Sequence, residues 1–166
     1  MKNLVQLWLK KTDPNRAWAG LDIQVHPNGT AMFNTAMETW VGNGSSTLFW
    51  SDQWLMGCSL WDITPSVVAA VPQNARARRT VADASQDHDW PTDIRGGLTF
   101  IGLFEYFQLW DLLHETVLTQ DADVHLWRLE TSCHFSSKSA YRAFFNGSIT
   151  FRALVASLEI MGSSEV

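Results

Sequence analysis

The sequence predicts an α+β protein: two small antiparallel β-ribbons braced by several helices. Three observations predict it. First, hydrophobic residues make up 46% and charged residues 17% of 166 positions, enough apolar content for one buried core and too little charge for a disordered chain. Second, several segments repeat apolar residues at helical spacing. Third, two other segments combine strand-forming residues with glycine, asparagine and serine turns.

The elements follow in chain order. "LVQLWLKK" has apolar residues at 4, 5, 7, 8 and 9 and is a short helix stopped by Thr12-Asp13-Pro14. "RAWAGLDIQVHPNG" reads as a loop and a short extended piece ended by Pro27-Asn28-Gly29. "TAMFNTAMETWVG" is a helix capped by Thr30 and closed by Gly42, with Met32, Phe33, Ala36, Met37 and Trp40 on one face. Gly42-Asn43-Gly44-Ser45-Ser46 followed by "TLFW" reads as a β-hairpin. "SVVAAV" is a helical turn or a strand, ended by Pro72. "QNARARRTVADASQDHDWPTDIRGG" is polar and is expected to be the least ordered stretch. "LTFIGLFEYFQLWDLLHETVL" is the strongest helix, amphipathic to mostly buried, with Gly102 weakening its first turn. "DVHLWRLETSCHFS" alternates apolar and polar residues as a two-stranded ribbon. "SSKSAYRAFFNG" is a helix capped by Ser136 or Ser137, with Tyr141, Phe144 and Phe145 on one side and Asn146-Gly147 as its stop.

Charge and chemistry narrow the function. A formal net charge of −5 argues against a general polyanion binder, because such affinity comes from Lys and Arg neutralising phosphates. No stretch suits a signal-peptide core or a membrane span. Two cysteines, Cys58 and Cys133, fit an intracellular, non-secreted setting with free thiols. Asp83, Asp87, His88 and Asp89 are close in sequence but lack apolar walls to exclude water, so a solvated loop is the expectation; Asp121 and Asp123 read as a helix-to-strand turn rather than a metal site. Adjacent Cys133 and His134 on a strand point to opposite faces and suit neither a zinc site nor a catalytic pair. The one basic cluster is Arg76, Arg78 and Arg79; with Lys10 and Lys11 it could grip a phosphate backbone, or its arginines could pair with nearby acids. Three tryptophans, Trp40, Trp50 and Trp54, fall within the hairpin phrase without a basic neighbour, which favours core over a base-stacking platform.

Taken together and in order, "LWLKKTDPNRAWAGLDIQV", "VGNGSSTLFWSDQWLMGCSL", "RRTVADA", "LWDLL" and "VHLWRLETSCHFSSKSAYRAFFNG" resemble plant LINE-type (non-LTR) retrotransposon reverse-transcriptase polyproteins. The resemblance covers residues 1–150, between the polymerase thumb and the C-terminal reverse-transcriptase zinc-binding domain. It runs into the start of that domain near residues 135–147. In such elements the polymerase aspartates lie upstream and the cysteine/histidine cluster downstream, so neither carries over to a residue here. The resemblance implies a truncated, non-catalytic segment: not an enzyme, without cofactor or small-molecule substrate, not membrane-bound, and incomplete as a fold. RNA or DNA, held weakly, is the implied partner; the alternative is a weak nucleic-acid-binding module using Arg76, Arg78, Arg79, Lys10 and Lys11.

Residues 151–166 depart from the family, which continues with a phrase like "W-x-x-L-W-K-S-W-A-P-x-K" where this chain has "ALVASLEIMGSSEV". Suitable codons for that tail, read one nucleotide later, spell the family phrase, so a frameshifted tail is the expectation. The coding DNA checks this: the shifted frame should carry a C-x-x-C…H pattern downstream, and its absence refutes the frameshift.

Overall fold

The computed structural model describes residues 2–13 and 25–146, and the chain folds as an α+β protein. It divides into two compact units. The described part of the first comprises residues 2–13, 25–38 and 125–146, and that of the second residues 39–124. No described helix is long and apolar enough to cross a membrane.

The first unit is built from α1 (Lys2–Thr12), α2 (Pro27–Ala36) and α8 (Ser137–Asn146) around Trp127. Trp127 is fully buried and meets Trp8, Phe33 and Phe135 with ring centroids 4.8–6.2 Å apart. Burying so large an indole requires a partner for its N–H, and Nε1 donates to Ser139 Oγ at 2.8 Å. Small residues Ala140 and Ala143 on α8 let this helix approach the ring. Ser136 is the cap the sequence suggests, its hydroxyl accepting from the Ser139 amide. The stop at Gly147 lies outside the described residues, as does the extended piece expected before Pro27.

The second unit holds α3 (Leu60–Ile63), α4 (Pro65–Ala69), α5 (Gln73–Arg76), α6 (Val81–Ser85) and α7 (Phe100–His114). Its core joins Phe49, Trp50, Trp54, Val67, Val68, Val81, Trp90 and Leu109. Phe49 packs edge-on to Trp50 at 4.8 Å, and Trp90 contacts Tyr106 and Trp110 at 5.2 and 5.3 Å. Trp54 donates to the Phe49 carbonyl at 2.9 Å. Trp90 Nε1 is buried without a partner among the described residues, a cost of about 1–3 kcal/mol that its ring contacts offset.

Several local expectations are corrected. Strands β1 (Met37–Trp40) and β2 (Val124–Trp127) pair with each other, so the described residues hold one antiparallel ribbon rather than two. The hairpin does not form. Its glycines face other partners, Leu48 bridges to Thr80, and Trp40 is 63% exposed while Trp50 is 0%. Residues after Trp127 turn back instead of forming a second strand: the Trp127 amide donates to the Cys133 carbonyl. Helix α2 starts earlier than Thr30, at Pro27, whose fixed φ suits the first helical position, and His26 supplies the cap. It ends at Ala36 because Met37–Trp40 is taken by the ribbon. The stretch from Gln73 to Gly97, expected to be irregular, contains α5, α6 and two 3₁₀ turns and buries Val81, Ala84, Trp90 and Asp93. A reciprocal cap between Thr80 and Asp83 starts α6.

Helix α7 is amphipathic, with Leu109 buried and Tyr106, Trp110, Leu112 and Leu113 packed on the core, but its division into faces is not purely by hydrophobicity. Glu105 is among its buried residues, while Phe100, Phe104 and Phe107 are exposed. The Glu105 carboxylate accepts from the Ser66 amide at 2.7 Å, the Ser66 hydroxyl at 2.9 Å and the Val67 amide at 3.1 Å. It thereby satisfies the first-turn donors of α4. Replacing Glu105 by Ala strands these donors; urea unfolding should show a loss of about 2–3 kcal/mol, larger than for Phe104→Ala on the exposed face.

Candidate functional site

The segment Gly42–Thr47 wraps a single carboxylate. Asp123, in the residue before β2, accepts from the Gly42 and Gly44 amides through Oδ1, at 2.9 and 2.7 Å. Its Oδ2 accepts from the Ser46 amide at 2.9 Å, the Ser46 hydroxyl at 3.1 Å and the Thr47 hydroxyl at 2.8 Å. Two backbone bonds tighten the wrap, from the Asn43 amide to the Asp121 carbonyl and from the Thr119 amide to the Gly42 carbonyl. The glycines are required by space and by dihedral. A Cβ on Gly42 would collide with the Asp121 carbonyl, and Gly44 has φ +73° with the Ala82 nitrogen 2.7 Å from where its Cβ would stand. On its other side the loop takes amides from α6, Val81 to the Thr47 carbonyl and Ala82 to the Gly44 carbonyl. Burial pushes the Asp123 carboxyl up, but the bonds from Thr47, Gly44, Ser46 and Gly42 outweigh it and hold the group below its ordinary range. This nest of donors resembles an anion site whose anion is supplied by the chain itself.

A second carboxylate locks the aromatic core. Asp93 accepts from the buried Trp50 Nε1 at 2.8 Å and takes a forked pair from Arg79, Nε at 2.9 Å and a terminal nitrogen at 2.6 Å. Burial raises the Asp93 carboxyl, yet Arg79 and Trp50 together bring it below its ordinary value. The same hydrogen bond raises Arg79, against burial, with the charges of Asp93 and Asp89 adding to it. Asp89 lies 3.3 Å from Arg79.

The basic cluster therefore splits. Arg79 is engaged by Asp93 and Asp89. Arg76 lays its guanidinium 5.0 Å over the partly exposed ring of Trp61, and its Nε has no hydrogen-bond partner among the described residues. Arg78 is exposed. Lys10 and Lys11, at the end of α1, belong to the first unit, whereas the three arginines belong to the second.

The other candidates are local. Asp83 caps α6, and His88 stacks on Trp110 at 5.6 Å. The Asp87 side chain lies outside those described. Cys133 and His134 are both exposed, and neither Cys58 nor Cys133 is in a disulfide among the described residues. Among the described residues no three His, Cys, Asp or Glu side chains gather as metal ligands.

Sequence reasoning missed Asp123 and Glu105 as organising groups. The Gly-Asn-Gly-Ser-Ser run was a usable signal, since consecutive small donors form a nest, but the acid that fills it lies 76–81 positions away.

Asp123 and Asp93 both titrate below the ordinary range in the fold, so their stabilisation is present above about pH 4 and lost as pH falls through the depressed values. Asp123→Asn should lower stability near pH 7 by on the order of 2–3 kcal/mol, and the gap to the wild type should narrow as pH falls below the ordinary carboxylate range and the depressed carboxyl takes up its proton, measured by urea midpoints against pH.

Compared with known proteins, the chain matches no family model, no curated protein and no solved structure.

Proposed function

We propose that this chain is a non-catalytic region of a LINE-type reverse-transcriptase polyprotein, the connecting segment between the polymerase thumb and the zinc-binding domain. The sequence phrases quoted above support the family, and one observation supports the structural role. Among the described residues, the interior and half-buried carboxylates of the second unit are spent on the chain's own donors. Asp52 holds the Leu48 amide, Asp93 holds Trp50 and Arg79, Glu105 holds the start of α4, and Asp123 holds the Gly42–Thr47 loop. A carboxylate so engaged is poorly placed to bind Mg²⁺ or to move a proton.

The second reading is weak binding of RNA or DNA, and a specific observation favours it. Arg76 over Trp61, with Arg78 exposed in the next turn, combines an aromatic face with two cations, the pairing that single strands favour. Arg79 contributes through the fold rather than through contact.

Both readings are tested on the full chain with labelled single-stranded RNA and DNA. Primer extension and cleavage with Mg²⁺ should stay at the buffer level. Anisotropy should give a Kd on the order of micromolar at low salt with a shallow salt slope of about −1.5, and Trp61→Ala or Arg78→Glu should weaken it by roughly tenfold. Absence of binding at low salt removes the second reading and leaves the first; catalysis above buffer removes the first.

A further inference from the structure

We propose that Asn43–Gly44 is a self-modifying site, where the chain closes a succinimide that opens to isoaspartate, and that Asp123 gates the reaction. The sequence holds three Asn-Gly pairs, at 28–29, 43–44 and 146–147. In such a pair glycine carries no side chain to shield its nitrogen from the asparagine carboxamide one residue before it. The surroundings of the pair at 43–44 decide when the two groups meet.

The electrophile is held locally. Asn43 Oδ1 accepts from the Ser45 amide at 3.0 Å and from the Ser45 hydroxyl at 2.7 Å. This turn curls the side chain back towards the following peptide, and two donors on Oδ1 polarise the Cγ=O bond. The nucleophile is held from a distance. Gly44 donates its N–H to Asp123 Oδ1 at 2.7 Å, across 79 positions of sequence. An ionised carboxylate beside that nitrogen opposes loss of its proton, because the amide anion would stand against like charge. A local opening that withdraws Asp123 therefore frees the nucleophile and leaves the electrophile poised.

In the opened loop the Gly44 nitrogen gives its proton to hydroxide and attacks Asn43 Cγ. The N–Cγ bond forms, the Cγ–Nδ2 bond breaks, and ammonia leaves with a proton from water, which regenerates hydroxide. Water then adds to one carbonyl of the five-membered ring. Cleavage at Cγ leaves aspartate. Cleavage at the main-chain carbonyl leaves isoaspartate, whose backbone runs through Cγ and is one carbon longer. That carbon separates the Gly42 and Gly44 amides, which meet on a single oxygen at 2.9 and 2.7 Å. The wrap then cannot reclose, and a reversible opening becomes a permanent one. Asn28–Gly29 supplies the contrast: it lies in the first turn of α2, in the first unit, with the Gly29 amide donated to the His26 carbonyl at 2.8 Å.

Peptide mapping by mass spectrometry of the full chain kept at neutral pH reads the one-dalton gain and the isoaspartate at each pair. Asn43 should convert at least about tenfold more slowly in the native chain than in denaturing urea. Asp123→Asn should speed conversion at Asn43 by at least about tenfold, and Thr47→Val, which removes one hydroxyl donor from Asp123, should speed it less, with Asn28 unchanged in both. Adding Ser45→Ala to Asp123→Asn should slow it again by about threefold or more. Glu105→Ala destabilises the same unit at the start of α4 and should leave the Asn43 rate within about threefold of the wild type, which separates gating by Asp123 from general unfolding. Equal acceleration by Glu105→Ala and Asp123→Asn overturns the proposal. So does a native Asn43 rate equal to that in urea, or one indifferent to Ser45.

Discussion

The carboxylate of Asp123 is the constraint on which the second unit depends. Five donors from six consecutive residues converge on its two oxygens. Each bond to an ionised acceptor is worth more than a neutral one, about 1.5–3 kcal/mol in isolation, although the sum is far from additive. The consequence is geometric as much as energetic. By fixing Gly42 to Thr47, Asp123 sets where the chain enters the core at Phe49 and Trp50. Through the Thr47 and Gly44 carbonyls it also sets where α6 begins. The acid's own burial cost is outweighed, which is why its carboxyl titrates low rather than high.

The aromatic core follows the same logic at Asp93. Trp50 is fully buried, and an indole N–H without an acceptor would oppose that burial. Asp93 accepts it, and Arg79 neutralises the acid that does so. A polar, glycine-terminated stretch is ordered by this chain of three side chains, each leaving the next satisfied. An arginine that looks like a phosphate grip in the sequence is thereby a structural counter-ion. Arg76 and Arg78, three positions and one position away, are left for the ring of Trp61 and for solvent.

Helix α7 shows how one capping interaction decides a surface. Hydrophobicity alone would turn the phenylalanines inward. Glu105 instead faces in, because the short helix α4 presents amides that only an acceptor can satisfy. The rings of Phe100, Phe104 and Phe107 are the other side of that choice, and they give the second unit an apolar exposed face.

The sequence by itself determined the α+β class, the existence of α1, α7 and α8, and the burial of Trp50, because these rest on local periodicity and on neighbours a few residues apart. Capping was legible where both partners were near, as at Ser136 with Ser139. Only the tertiary structure decided which strands pair, what fills the Gly42–Thr47 nest, which arginine is engaged and which face of α7 is outward. Each of these depends on a partner ten or more positions away in the sequence. The reason is physical: a glycine run accepts a hairpin turn or an acid's embrace equally well, and the choice is made by whichever distant acceptor satisfies more buried donors.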